Sequence, residues 1–376
     1  MDIPLYSSTI MRREMDAVLT CMVSEKIGPG EINRKLSQTA REIFGADAAL
    51  PLRSGSVALR YVLQALDLPP GSGVILSALS PAWHYKCLLQ MGYTPVLADP
   101  DPETAQLTPE SVRDAAVRGG KVLLLFDALG YLPDVRGILE LNLPVIEDIS
   151  QSAGAYYGAE ESSSASAPAG GDTASPAAAS AAPAPEIPAS AYAAGSGALF
   201  SILGLEERDL LTAGGGAILL APKRREGIIV RRMFEEAPVP DVLSDMNSAL
   251  ALVQLKEMQH NHGKRAAIHS VFLQALLQAR AARHKTLAQT GGGVPSFYSF
   301  PVALASSAND ARQYAAKQGI RTGAAFADSV AALLGDGLEG CRNARSLLLR
   351  CLLFPLYPRL GSKNVEKIAK VLRSLP

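Results

Sequence analysis

The stretch "VIEDISQSAG", residues 145–154, decides the fold, because a short apolar run ends there on an acid and gives way at once to a small polar turn. Three earlier short apolar runs are likewise followed by helix-like segments, and two of them also end on an acid. They are "GVILSAL" at 73–79, "TPVLADP" at 94–100 and "KVLLLFD" at 121–127. Buried strands that alternate with helices are typical of α/β proteins. The pattern predicts a mostly parallel sheet flanked by helices.

The length of the chain and one change in composition predict two domains and an insertion. At 376 residues the chain is long enough for two domains of ~100–200 residues. We expect a large α/β domain over residues 1–235 and a small α+β C-terminal domain over residues 236–376. Residues 158–194 are nearly all Ala, Ser, Pro and Gly, which gives too little apolar side-chain mass to fold independently. This composition predicts a disordered low-complexity insertion.

Charge and cysteine content exclude several classes of function. The 36 basic and 36 acidic side chains cancel, so no long-range field attracts the chain to nucleic acid or to an anionic membrane. The N-terminus is charged where a signal peptide is apolar, and no apolar run approaches the ~18–20 residues of a membrane span. Four widely spaced cysteines without a C-x-x-C pair indicate buried thiols in a reducing compartment. We therefore expect a cytoplasmic protein without a nucleic-acid or membrane partner.

Residues 244–284 predict one long or broken helix, because apolar side chains recur there with a helical period. His260, His262 and His269 lie on this helix among charged neighbours. Their spacing matches neither H-E-x-x-H nor a comparable metal motif. We expect a solvated helix face and no metal site.

Acids at the strand ends indicate a ligand site at the carboxyl edge of the sheet. Apolar runs end on Asp99, Asp127 and Asp148, and ligands of open α/β sheets bind at this edge, although a carboxylate there is as often a helix N-cap. A buried Asp148, with Gln151 three residues further on, fits the acid that pairs with the protonated ring nitrogen of pyridoxal phosphate. The alternative is that Asp148 and Gln151 are only N-cap and turn residues.

Two further motifs fit the phosphate of such a cofactor. Ser54, Gly55 and Ser56 in "RSGSVAL" begin a helix, and the free N–H groups of a helix start bind anions. Ser-Gly-Ser before a helix is also a plain N-cap. Ser201, which follows Phe200, supplies a second candidate hydroxyl.

In this order, these segments resemble the DegT/DnrJ/StrS family of sugar aminotransferases, which are pyridoxal-phosphate enzymes with the type I, aspartate-aminotransferase fold. The likeness covers nearly the whole chain apart from the insertion. The resembling blocks are "IPLYSSTI", "KIGPGEINRKLSQTAREIFGADAALPLRSGSVAL", "MGYTPVLADPDPETAQLTPESVRDA", "LPVIEDISQSAGAYYG", "SDMNSALALVQLKEM" and "LLFPLYPRLGSKNVEKIAKVL". The resemblance implies that fold, a pyridoxal-phosphate cofactor, a homodimer and a nucleotide-sugar ligand.

The resemblance also assigns cofactor contacts to residues of this chain. It implies an acid for the ring nitrogen at Asp148 and a glutamine near the ring and O3′ at Gln151. The implied phosphate contacts are Ser54, Gly55, Ser56 and Ser201.

The chain departs from the family at several of the implied site positions. The Schiff-base lysine of the family falls within Glu206, Glu207 and Arg208, none of which is Lys. Pro81 stands at the position of the aromatic residue that stacks on the ring, which leaves Trp83 or His84 as displaced substitutes. Other departures are Pro240 and Val242, in place of the Asn and Arg before the dimer-side helix, and Gly214, in place of an acid.

The missing lysine leads to three readings of the function. Transamination needs an amine that forms an imine with the cofactor and then carries a proton, whereas a carboxylate forms no imine and Arg stays protonated. We expect a catalytically silent family member, a pseudoenzyme, whose cleft binds a nucleotide sugar, another small ligand or nothing. The cofactor would then be absent or bound without a covalent bond.

Two alternatives keep an enzymatic activity. One is an active keto-sugar aminotransferase of polysaccharide or nucleotide-sugar biosynthesis, with another lysine such as Lys223 in place of the lost one. The other is a lysine-free sugar dehydratase that uses the amine form of the cofactor, with Glu206 or Glu207 as the base.

Overall fold

The computed structural model describes residues 2–157, 192–279, 284–305 and 307–376. Its strands belong to three sheets. The strands are β1 (Ala48–Leu52), β2 (Gly73–Ser77), β3 (Thr94–Ala98), β4 (Gly120–Phe126), β5 (Val145–Asp148), β6 (Tyr156–Tyr157), β7 (Tyr192–Ala193), β8 (Phe200–Gly204), β9 (Ala217–Ala221), β10 (Gly293–Val294), β11 (Phe300–Ala303), β12 (Gly323–Ala324) and β13 (Cys351–Phe354).

The large sheet has seven strands in the order β1-β9-β8-β5-β4-β2-β3. β9 runs antiparallel to β8 and β1, and the other neighbouring pairs are parallel. The four apolar runs that predicted strands form β2, β3, β4 and β5. The prediction of an α/β fold with a mostly parallel sheet is confirmed.

Helices cover both faces of this sheet. The helices are α1 (Arg12–Val23), α2 (Glu31–Phe44), α3 (Gly55–Ala65), α4 (Ala82–Gln90), α5 (Pro109–Val117), α6 (Val135–Leu139), α7 (Arg224–Glu235), α8 (Asp245–Lys256), α9 (Met258–Leu277), α10 (Ala308–Lys317), α11 (Val330–Leu334), α12 (Arg342–Arg350) and α13 (Ser362–Arg373). On one face, Ile146, Phe200 and Ile202 pack in a core with α3, α4 and α7. On the other face, Leu203 and Leu220 pack with α2 and α8.

The predicted helical region of residues 244–284 is a broken helix, since α8 ends at Lys256 and α9 begins at Met258. α8 is joined to α2 by the buried carboxylate of Asp245. This carboxylate accepts hydrogen bonds from the backbone N–H groups of Gly30 (2.8 Å), Ile32 (3.1 Å) and Asn33 (2.9 Å). It thereby caps the start of α2, where the N–H groups lack partners within the helix and the helix dipole favours a negative charge.

The C-terminal part of the chain contains the expected smaller α+β unit. β11, β13 and β12 form an antiparallel sheet, and α9, α10 and α13 pack against it in one apolar core. Ala251 and Leu255 of α8 belong instead to a core of the large sheet. The domain boundary between residues 235 and 236 stays a prediction.

Most of the expected insertion lies outside the described residues. Its last three residues, 192–194, do not fit the prediction of disorder. Tyr192 and Ala193 form β7, which pairs with β6, and the Ala194 N–H donates to the carbonyl of Ala155. The described chain therefore resumes three residues earlier than the composition indicated.

The prediction of a solvated histidine face is wrong for two of its three residues. His260 is exposed, but His262 is buried and its Nε2 lies 3.0 Å from the carbonyl oxygen of Pro295. His269 packs against the rings of Phe297 and Phe300, and burial lowers its pKa to about 4. Beside them, the buried guanidinium of Arg265 donates to the carbonyls of Tyr298 and Leu356. This face of α9 is polar because His262 and Arg265 contact backbone carbonyls of other segments of the same chain.

The remaining expectations concern the cysteines, a metal site and a membrane span. All four cysteines are buried free thiols, as predicted. Within the part of the chain that the structure describes, no three His, Cys, Asp or Glu side chains are grouped so that they could hold a metal ion. No helix in the same part has both the length and the apolar character to cross a bilayer.

We predict that Asp245→Ala lowers the free energy of unfolding by about 2–3 kcal/mol, because three N–H groups at the start of α2 lose a charged acceptor. Urea denaturation of the two proteins measures the difference. Asp16→Ala, which removes an exposed carboxylate on α1, should change the value by less than about 0.5 kcal/mol. Equal stabilities of the Asp245 variant and the wild type would show that the cap does not hold α2 to α8.

Candidate functional site

A cavity of about 310 Å³, here called the inner cavity, lies at the carboxyl ends of β5 and β8. It is continuous with a wider opening of about 610 Å³, the outer cleft, with which it shares Pro81, Trp83, Phe126, Gln151, Glu206 and Asp209. The remaining lining residues of the inner cavity are Ser54, Gly55, Ser56, Asp148, Ser150, Gly204 and Gly216. The structure thus brings together most of the residues that the sequence indicated.

One wall of the inner cavity is the start of α3. The Ser54 hydroxyl accepts the N–H of Val57 (3.2 Å) and lies 2.9 Å from the Ser56 hydroxyl. The first-turn N–H groups of α3 have no partner within the helix, so this wall attracts anions. Trp83 packs against the same wall, since a Cβ built on Gly55 would lie only 2.9 Å from its Cη2. Glycine at position 55 is what allows the indole to lie there.

The floor of the cavity carries Asp148, whose carboxylate is largely occupied by the protein itself. Its Oδ1 accepts the backbone N–H of Ser150 (2.9 Å) and the hydroxyl of the same residue. Its Oδ2 lies 2.8 Å from Nε2 of His84, an ion-pair distance without the alignment of a hydrogen bond. His84 is fully buried beneath the cavity and does not line it. Of the two proposed substitutes for the stacking aromatic, Trp83 therefore reaches the cavity and His84 does not.

Gln151 holds the loop that forms another wall. Its Oε1 accepts the N–H of Leu129 (2.8 Å), a residue whose positive φ of 58° makes the chain turn sharply after β4. Its side chain lines both the inner cavity and the outer cleft.

The structure separates the three candidate positions for the missing lysine. Glu206 lines the inner cavity and the outer cleft, whereas Arg208 lines only the outer cleft, where it pairs with Asp328 (3.4 Å). Glu207 lines neither space. Of the three, only Glu206 lines the same cavity as Asp148.

Asp209 is a site residue that sequence reasoning missed. Its Oδ2 accepts the N–H of Glu206 (2.8 Å), so it fixes the turn that presents Glu206. Burial raises the pKa of the Asp209 carboxyl to about 7, and the nearby Asp148 adds to the shift. The signal in the sequence was an acid three residues after Glu206, which is the spacing of a side chain that caps a short turn.

Ser201 does not reach the cavity, contrary to its assignment as a phosphate contact. In the β5–β8 pair it stands opposite Glu147, whereas Asp148 stands opposite Ile202. Side chains alternate between the faces of a sheet, so Ser201 points to the face opposite that of Asp148. Its hydroxyl donates to the carbonyl of Gly195 (2.9 Å).

The same face holds a buried pair of carboxyl groups, Asp127 and Glu147. Both side chains have no exposed surface. Ser152 donates to Asp127 (2.5 Å), and the Gly195 N–H donates to Glu147 (2.9 Å). Burial raises the pKa of both carboxyl groups, that of Glu147 to about 7, and their proximity raises that of Asp127 further. The third strand-end acid, Asp99, accepts the N–H groups of Asn343 and Ala344 and so caps α12.

We predict that the free energy of unfolding falls as the pH rises from about 4.5 to about 7, because the folded state holds a proton on Glu147 in this window and the unfolded state does not. The stabilisation is complete below the unfolded pKa and is lost as the pH passes the raised folded pKa. Glu147→Gln should flatten this slope, whereas Glu110→Gln on exposed α5 should keep it. Urea denaturation at four pH values across the window tests this, and parallel curves for all three proteins would contradict it.

The residues present fit the non-covalent contacts of pyridoxal phosphate but not its covalent one. The start of α3 would hold the phosphate, Asp148 the ring nitrogen and Gln151 the ring edge. The cofactor supplies an electron sink when it is bound in this way. A carboxylate at Glu206 cannot form the imine through which a lysine holds the aldehyde.

Comparison with known proteins shows the family of this chain. A family model, the DegT/DnrJ/EryC1/StrS aminotransferase family, matches residues 8–169 and 240–373. The interval between these ranges includes Glu206, Glu207 and Arg208.

Solved structures share the fold over nearly the whole chain. The aminotransferase TlmJ from Streptoalloteichus hindustanus has 18% identity and a TM-score of 0.82, and an aminotransferase from Psychrobacter cryohalolentis has 20% and 0.81. Each match covers 99% of this chain and 98% of the other. An E. coli GDP-4-keto-6-deoxy-D-mannose-3-dehydratase with bound hydrated PLP has 18% identity and a TM-score of 0.80. That match covers 99% of this chain and 100% of the dehydratase chain. The expected family is confirmed, and the chain belongs to the DegT/DnrJ/EryC1/StrS aminotransferase family.

Proposed function

We propose that this protein is a family member that binds a nucleotide sugar or another small ligand in its cleft and does not transaminate. The observation that carries the proposal is Glu206 at the inner-cavity position of the Schiff-base segment. Loss of a catalytic amine costs several orders of magnitude in rate, because the imine and the proton transfer are both lost.

A replacement lysine has no place near this cleft. Among the described residues, no lysine lines the inner cavity or the outer cleft. Lys223 follows the far end of β9, whose first residue, Ala217, pairs with Gly204 at the cavity edge. Five residues of strand span about 17 Å. Lys223 therefore lies at the opposite edge of the sheet, which opposes the reading of an active aminotransferase.

The outer cleft supports a small ligand. It is lined by the rings of Tyr6, Trp83, Phe126, Tyr298 and Phe326, with the charged side chains of Arg208, Arg312 and Asp328 among them. Apolar and aromatic walls with a few polar groups are typical of small-molecule sites.

One observation favours a second candidate function. Glu206 lines the same cavity as Asp148 and Gln151, and in this second proposal it acts as the base of a lysine-free sugar dehydratase. The related E. coli protein is named for such a dehydration. Turnover of its 4-keto-6-deoxy sugar nucleotide with pyridoxamine phosphate, lost in Glu206→Gln, would replace the non-catalytic proposal with this one.

We predict that pyridoxal phosphate and borohydride leave no site-specific pyridoxyl group in the cleft of the wild type, because no lysine among the described residues lines the cavity. Glu206→Lys should gain one such group, detected by mass spectrometry and mapped to residue 206. Glu207→Lys is the matched control and should gain none there, since Glu207 lines neither space. A specific adduct in the wild type would overturn the proposal.

The homodimer expected from the family is part of the proposal, and the surface of α1 supports it. One face of α1 packs on α8 and buries Cys21 and Glu14. Another face exposes Met15, Leu19 and Met22, each by more than half. Exposed apolar residues at helical spacing on a soluble protein mark an interaction surface.

We predict that Met15→Lys combined with Leu19→Lys converts a dimer to a monomer, because two charges would have to be buried in an apolar interface. Light scattering at micromolar concentration measures the mass. Val117→Lys, which changes an isolated exposed residue on α5, should leave the dimer intact. A monomeric wild type would refute the dimer, and a dimeric double variant would place its interface elsewhere.

A further inference from the structure

The charged side chains that line the inner cavity are all acids. They are Asp148, Glu206 and Asp209, and no Lys, Arg or His among the described residues lines this space. A cavity with charges of one sign attracts ligands of the opposite sign. The three acids differ, however, in how far the protein already compensates them.

Glu206 carries the charge that is left for a ligand. Asp148 is held by His84 and by two donors of Ser150. Asp209 accepts the Glu206 N–H, and burial raises its pKa to about 7, so it is partly protonated near neutral pH. Glu206 is exposed to the cleft and has no ion-pair partner among the described residues.

The other walls favour a flat ligand with an anionic end. The start of α3 presents free N–H groups beside the Ser54 and Ser56 hydroxyls. Trp83 and Phe126 add aromatic faces, which attract both rings and cations. A ligand that fits all these walls has an anionic group, a ring and a protonated amine.

We propose that the cleft binds a protonated primary amine at Glu206, so that of the two forms of the family's cofactor it takes pyridoxamine phosphate in preference to pyridoxal phosphate. The two molecules differ only in the group that faces the former lysine position. An ammonium pairs with the Glu206 carboxylate, whereas an aldehyde meets a carboxylate with which it forms neither an imine nor a hydrogen bond. This inference rests on the proposed function, in which position 206 holds no amine.

The test uses the purified full-length protein and Trp83 as a built-in probe. Trp83 is the single tryptophan of the chain and lines the cavity, so its fluorescence reports directly on binding. Titration with pyridoxamine phosphate and with pyridoxal phosphate, repeated by calorimetry, gives the two affinities. We expect pyridoxamine phosphate to bind about tenfold more tightly, the effect of one charge-assisted hydrogen bond.

Glu206→Gln should lower the affinity for pyridoxamine phosphate about tenfold and leave that for pyridoxal phosphate unchanged. Glu207→Gln removes the same charge one residue away and should keep the wild-type preference. Equal affinities in the wild type, no binding of either molecule, or a preference that survives Glu206→Gln would overturn the inference. A borohydride-stable adduct in the wild type would instead overturn the proposed function, so the two failures are distinguishable.

Discussion

The pairing of β5 with β8 is the constraint on which the site depends. Their parallel register sets Ile146 opposite Phe200 and Asp148 opposite Ile202, so both strands end at the same edge of the sheet. The turns that follow must then meet, which brings Ser150 and Gln151 from one strand to Glu206 and Asp209 from the other. A shift of one residue would move each side chain of β8 to the opposite face.

Buried carboxyl groups at this edge are compensated in different ways. The Asp148 carboxylate lies at ion-pair distance from His84 and accepts the Ser150 N–H. Asp127 and Glu147 lie against each other, and their raised pKa values mean that the pair retains a proton. Charge is costly in such surroundings unless it is paired or neutralised. Glu206 avoids this cost because it faces the open cleft, and its charge therefore remains available to a ligand.

The family fold is present, but several of the implied site positions differ from the family, above all that of the Schiff-base lysine. The ring-nitrogen acid, the start of α3 and Gln151 still surround one cavity, although their cofactor role is a prediction. A carboxylate at residue 206 reverses the charge that a lysine would have brought. In our proposal this frame suits an amine rather than an aldehyde, and Pro81, in place of the stacking aromatic residue, is a second departure in its walls.

The sequence by itself determined the fold and the main wall and floor residues. Alternating apolar runs and helices predicted the sheet, and Asp148 and Ser54 were found because a strand end and a helix start are local signals that need no distant partner. The position of the missing lysine could be narrowed only to three residues, because the segment before the Gly-rich turn differs in length from that of the family and leaves the alignment uncertain.

Only the tertiary structure decided which of these residues meet. The strand register turned Ser201 away from the cavity, and the turn that Asp209 fixes brings Glu206 to its edge. The His84–Asp148 contact and the Asp127–Glu147 pair join segments that are distant in sequence. His262 is buried and His269 is half-buried because α9 packs on a segment about thirty residues further on, around Phe297. Such contacts depend on how elements pack, and packing is not encoded in the local pattern of any one of them.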